Sequence, residues 1–111
     1  MSRLDQLFDL LKEQPNEAFL LFAIAKEYEK AKDYDKALEY YLELYDTTPQ
    51  YVGTYYHLGK LYERLNNPEK ALKTYKQGKI IAKSEGDMHA FSELNGAAMS
   101  LENDDDDDDD F

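Results

Sequence analysis

Cysteine is absent from all 111 residues, so no disulfide framework, zinc knuckle or thiol nucleophile can be built from this chain. Long apolar runs are missing as well. Met1, Ser2, Arg3, Leu4 and Asp5 enter an amphipathic pattern at once, which leaves no room for a signal peptide or a membrane span. The expectation is a soluble, cytoplasmic protein with no membrane partner. Histidine is scarce: His57 and His89 stand 32 residues apart, neither read as having a carboxylate at metal-ligand spacing. The five glycines are scattered at Gly53, Gly59, Gly78, Gly86 and Gly96, so no phosphate-cradling loop forms, and no catalytic-triad or paired-His spacing appears. No enzyme activity, metal site or cofactor is expected.

Excess positive charge is lacking too. The formal net charge is −11, yet seven of the 24 acidic residues are the run 104–110, and the rest of the chain carries 17 acids against 13 bases. The polarity is concentrated in the tail. Specific nucleic-acid binding is not expected, because phosphate contacts need a clustered basic surface. Length alone suggests one domain and is too short for two independent cores.

What is present is a repeat. Shifting the sequence by 34 residues pairs segment 17–50 with 51–84 and superposes Lys26/Lys60, Tyr28/Tyr62, Glu29/Glu63, Lys36/Lys70, Ala37/Ala71, Leu38/Leu72 and Tyr41/Tyr75. Small residues at Ala25, Gly59, Ala37 and Ala71 allow antiparallel helices to approach closely. Leu21, Ile24 and Tyr28, and Tyr55, Leu58 and Tyr62, recur at helical spacing as core stripes. Asp33 and Asn67 are placed to cap the helices that follow, with Pro68 suited to a first turn. Pro15 and Pro49 are again 34 apart and stop the stretches before them. Six helices are predicted, at 3–14, 17–31, 34–47, 51–65, 68–84 and 88–102.

The series Ala25, Tyr28, Ala37, Tyr41 and Pro49 resembles the tetratricopeptide (TPR) consensus. Gly59, Tyr62, Ala71 and Tyr75 repeat it, but Lys83 stands where the proline would fall. The second helix of that repeat should therefore run on toward Gly86. The resemblance covers residues 3 to about 86 and implies an all-α, right-handed superhelical stack of helix-turn-helix pairs. In this reading 3–14 is a half-repeat, 87–102 a capping helix, and residues 1–103 form the TPR-like domain. Both ends of the array are covered, as solubility of a repeat protein requires, which suggests a complete protein. Residues 104–111 are expected to be a disordered acidic tail.

By resemblance, the first helix of each repeat lines a concave groove in which a protein or peptide partner docks. That places Phe19, Phe22, Lys26 and Lys30 in the groove from repeat one, and Tyr56, His57, Lys60 and Arg64 from repeat two. Two plainer readings stand beside it. Phe19 and Phe22 can pack under the N-terminal helix, and the cations can be a solvated face partnered by Glu29 and Glu63. A family clamp for terminal carboxylates, carried over in register, falls on Phe22, Lys26, His57, Asp87 and Phe91, which hold one cation and no Asn. A partner segment of apolar or acidic character is expected instead. The lysines at 70, 73, 76, 79 and 83 wind around an outward face, read as solvated, with nucleic acid or anionic lipid as the alternative. The tail is either solubilising or folds back over Lys26, Lys30, Lys60 and Arg64. The function expected is a non-enzymatic adaptor; the alternative is a homodimer built through the aromatic surface.

Overall fold

The computed structural model describes the backbone of residues 2–109 and the side chains of residues 2–103. Among the described residues there are six helices and no strand: α1 (Arg3–Glu13), α2 (Ala18–Lys30), α3 (Tyr34–Thr47), α4 (Gly53–Arg64), α5 (Pro68–Ser84) and α6 (Met88–Asp109). The all-α class and the helix-pair order follow the sequence reading, with boundaries shifted by two residues or fewer over the first five helices. α5 is three residues longer than α3, as the missing proline at Lys83 predicts. The last helix differs in extent from the expected 88–102, its backbone being described to Asp109. The expected disordered tail thus begins inside α6 as described, while its side chains and residues 110–111 lie outside the described residues.

The boundaries have local causes. Ser2, Asp33 and Asn67 each accept a hydrogen bond from the backbone N–H three residues on, at 3.1, 3.3 and 3.2 Å. Asp87 does the same for Ala90 at 3.0 Å. Between α2 and α3, α4 and α5, and α5 and α6 the chain makes one turn three times. Lys32, Asn66 and Gly86 take positive φ values of 64°, 62° and 74°. The next residue's N–H reaches back to Tyr28, Tyr62 or Ala82 at 2.9, 2.8 and 2.8 Å, closing a Schellman motif at each helix end.

Length suggested one core, but the chain divides into two compact units, Met1–Tyr51 and Val52–Phe111. Repeat packing explains this, since the helices pack as pairs within each unit, α2 against α3 and α4 against α5. In the first unit Leu7, Leu20 and Ile24 form a buried cluster joined by Leu4, Phe8, Leu11, Tyr28 and Tyr40. Phe8 lies edge-on to Tyr28 and Tyr40, with centroids 6.4 and 6.0 Å away, and those two rings stack at 5.8 Å. Phe8 thereby ties α1 to both α2 and α3. Leu10, on the same helix, is exposed. In the second unit Tyr55, Ala71, Tyr75, Ala82, Leu94, Ala97 and Ala98 are buried together, with Phe91 and Leu101 against them. α6 therefore covers α4 and α5, as a capping helix should.

Glycine is needed at two points of the second unit. A Cβ on Gly59 would lie 2.2 Å from Cε1 of Tyr75, and one on Gly78 would lie 2.4 Å from Cβ of Tyr55. In the 34-residue register Tyr55 and Gly78 replace Leu21 and Leu44, all buried, so a larger residue at one position is matched by a smaller one at the other.

Candidate functional site

The sequence-predicted residues fall on equivalent faces of two helices. In the first unit α2 carries Phe19, Phe22, Lys26 and Lys30; in the second, α4 carries Tyr56, His57, Lys60 and Arg64. Phe19 is 59% exposed, so it does not pack away under α1. Phe22 is half-buried, its ring 6.2 Å from that of Tyr41 and 5.6 Å from that of Tyr51. Part of Phe22 therefore belongs to the internal packing of its unit, which the sequence reading did not assign to it. Lys26 is exposed, and its ammonium stands 5.8 Å from the Phe22 centroid. Lys30 is exposed at the end of the same stripe.

On α4 the pattern recurs. Tyr56 is half-buried beside Tyr75, with centroids 6.4 Å apart, and meets His57 edge-on at 5.8 Å. Lys60 lies 5.5 Å from the Tyr56 centroid and 3.7 Å from a Glu63 carboxylate oxygen. Arg64 is exposed one turn further on. An ammonium over a ring face is attracted by the ring quadrupole while its outer side stays wet. Such a pair offers an apolar edge and a cation to the same ligand.

Beneath each face lies a lock that the sequence reading missed. Tyr41 donates its hydroxyl proton to Glu29 Oε1 at 2.8 Å, and Tyr75 donates to Glu63 Oε2. Glu29 and Glu63, read only as counter-ions for the lysines, thus tie each first helix to its second. Only Glu63 also pairs with its lysine within a described ion pair. The signal was available: both residue types recur after 34 positions, always 12 apart. Burial, the hydrogen bond to Glu29 and that carboxylate's charge, in that order, push the Tyr41 phenol well above its ordinary value. The Tyr75 phenol is raised by burial, by Glu63 and, least, by Tyr56.

Elsewhere the chemistry is sparse. His89, read as lacking a carboxylate neighbour, lies 3.7 Å from Glu93 one turn on, an exposed pair at a spacing the sequence analysis passed over. Among the described residues, no group of three or more His, Cys, Asp or Glu is arranged to hold a metal ion, and no helix is long and apolar enough to cross a membrane.

The comparisons with known proteins bear on this arrangement. The family model for the tetratricopeptide repeat matches residues 28–92. A tetratricopeptide repeat domain protein from Salinibacter ruber is 45% identical in its crystal structure, with a TM-score of 0.76 over 78% of this chain and 97% of that one. A Bordetella parapertussis protein, 24% identical, covers 95% of this chain and 91% of its own with a TM-score of 0.81, a likeness of fold. MamA, at 13% identity, shares the fold with a TM-score of 0.63 over 94% of this chain and 69% of its own. No match was found among curated proteins. A repeat matched across most of the chain, with its small, aromatic and capping positions filled as described, places this protein in the tetratricopeptide repeat family.

Proposed function

We propose that the protein is a non-enzymatic adaptor that binds another polypeptide through the exposed aromatic and basic faces of α2 in one unit and α4 in the other. Tetratricopeptide repeats serve as protein-interaction scaffolds, and proteins of this family are generally non-catalytic. The observation that carries the reading is the match in register between Phe22, Lys26 and Lys30 on α2 and Tyr56, Lys60 and Arg64 on α4. Each face holds a half-buried ring, a lysine over that ring and a second exposed cation. Apolar side chains of a ligand suit the ring edges and the exposed Phe19, and acidic side chains suit the cations.

The test is an affinity capture from native cell extract with the full-length protein beside a Phe19→Ala, Lys30→Glu variant. Both positions are exposed, so the thermal melt should not change. A discrete protein retained by the first and lost by the second supports the adaptor. Identical capture by both removes the α2 face from the reading. The second reading, a homodimer through the aromatic surface, is favoured by the exposure of Phe19. Sedimentation at rising concentration separates the two: self-association abolished by Phe19→Ala would make the second copy the ligand.

A further inference from the structure

The outer face of α5 is a surface of a different kind. The buried stripe of this helix is Ala71, Thr74, Tyr75, Gly78 and Ala82. Ile80 stands diametrically opposite that stripe at 100° per residue and is 70% exposed, the most exposed large apolar side chain among the described residues. Lys76 and Lys83 lie about one turn from it on either side and Lys73 about two turns before it, and all three are exposed. Six of the other lysines have company: Lys12, Lys36 and Lys60 pair with carboxylates and Lys26, Lys70 and Lys79 lie over rings, while Lys30 and Lys32 are exposed without a described ion pair. Lys73, Lys76 and Lys83 make no ion pair with another described residue, although Glu69 lies one turn from Lys73. An aliphatic centre within three uncompensated cations is thus left open in a chain whose net charge is −11.

The complement of this surface is in the same sequence. Residues 104–110 are seven consecutive aspartates, and Phe111 follows them. Their own α5 is not where they are led. α6 runs antiparallel to α5, with Phe91 beside Lys79 and Leu94 beside Gly78. Both helices rise about 1.5 Å per residue. Ten residues back from Gly78 is Pro68, where α5 begins, and ten on from Leu94 is residue 104. The α6 backbone, which continues to Asp109, therefore overhangs the Pro68 end of α5 and leads away from Ile80.

We infer that the Lys73, Lys76, Ile80 and Lys83 face of α5 docks residues 104–111 of a second copy of this chain, aspartates against the lysines and Phe111 against Ile80. Exchange about a two-fold axis makes the contact twice, which strengthens a pairing that three surface lysines alone would hold weakly. The like charge of two whole molecules opposes the pairing and is outweighed only where the acidic run meets the lysines; an anionic membrane, which would meet the same lysines, is an outcome of the test. α5 is not one of the helices used in the adaptor reading, so either can fail without the other.

The absence of cysteine provides a clean test, since Asp110→Cys gives a single attachment point for a nitroxide. The labelled full chain is mixed with isotope-labelled wild-type chain, and broadening of the latter's amide signals is recorded against a diamagnetic control. Docking predicts broadening at Lys73, Lys76, Ile80 and Lys83. It should return to the control level at about 0.5 M salt, where the screening length is only a few Å. It should also vanish when the isotope-labelled chain carries Ile80→Ser with Lys76→Glu. Broadening confined to α2 or α4, broadening found only within a single molecule, or none at all overturns the inference. So does sedimentation of the wild type, but not of that double variant, with vesicles of equal parts phosphatidylcholine and phosphatidylserine, which would make the α5 face a membrane contact.

Discussion

Lys32 and Asn66 hold the same left-handed backbone at the same place in successive repeats, but they are not equally suited to it. Asn tolerates this region, whereas a lysine Cβ crowds its own backbone there. Lys32→Gly should raise stability by about 1 kcal/mol, read as a higher urea midpoint with an unchanged slope, and Asn66→Gly by less. Thr54 poses a different residue-scale problem. It is fully buried, and its hydroxyl finds no hydrogen-bond partner among the described residues; the register pairs it with Leu20. Thr54→Val keeps the shape and removes the unpaired hydroxyl, so stability should rise by up to about 1 kcal/mol. A lower midpoint would mean that the hydroxyl is satisfied after all. The packing of Gly78 gives the opposite sign. Gly78→Ala drives a methyl into Tyr55 and should cost about 1–3 kcal/mol, despite the better helix propensity of Ala. Adding Tyr55→Leu restores the combination of smaller side chains and should recover part of the loss, a coupling that a double-mutant cycle measures directly.

The helices begin and end for reasons that lie within a few residues of each boundary. Asp33, Asn67 and Asp87 cap α3, α5 and α6 through side-chain oxygens, whereas α2 and α4 start at Glu17 and Val52 without a side-chain cap. The uncapped starts lie just past Pro15 and Pro49, so the period also governs how each helix is entered. Asn67→Ala should cost about 1 kcal/mol in thermal or urea unfolding, and Asn67→Asp close to nothing, because aspartate accepts the same Lys70 N–H. Such local causes explain why the first five helices were legible in the sequence to within two residues. The run of α6 past residue 102 was not, because seven consecutive aspartates read as a stretch that repels itself and buries no apolar surface.

At the scale of the whole molecule the two tyrosine locks set a response to alkali. Each phenol is held protonated in the fold above its ordinary pKa of about 10. Above that pH the unfolded chain releases protons that the folded chain retains, so stability falls as pH rises. Below it the contribution is fully present. Urea midpoints should therefore decline above about pH 10, and a Tyr41→Phe, Tyr75→Phe double variant should decline less steeply from a lower starting value. An unchanged slope would remove the locks as its source.

The 34-residue period, the small-residue crossings and the caps were all readable from the sequence, because each depends on residue type at fixed spacing along one chain. The aromatic and basic faces of α2 and α4 were reached through the family resemblance rather than through spacing. Which ring is shared with the interior was not readable: Phe22 is half-buried because Tyr41 and Tyr51, from elsewhere in its unit, reach it. Glu29 and Glu63 looked like surface counter-ions until the buried phenols of Tyr41 and Tyr75 came within hydrogen-bond reach. Gly59 was readable as a small-residue crossing, but only packing singles out Gly78, through the Tyr55 side chain that occupies the space a Cβ would need. Periodicity fixes which face of a helix turns inward, while the role of each side chain on that face depends on the neighbours that tertiary packing brings against it.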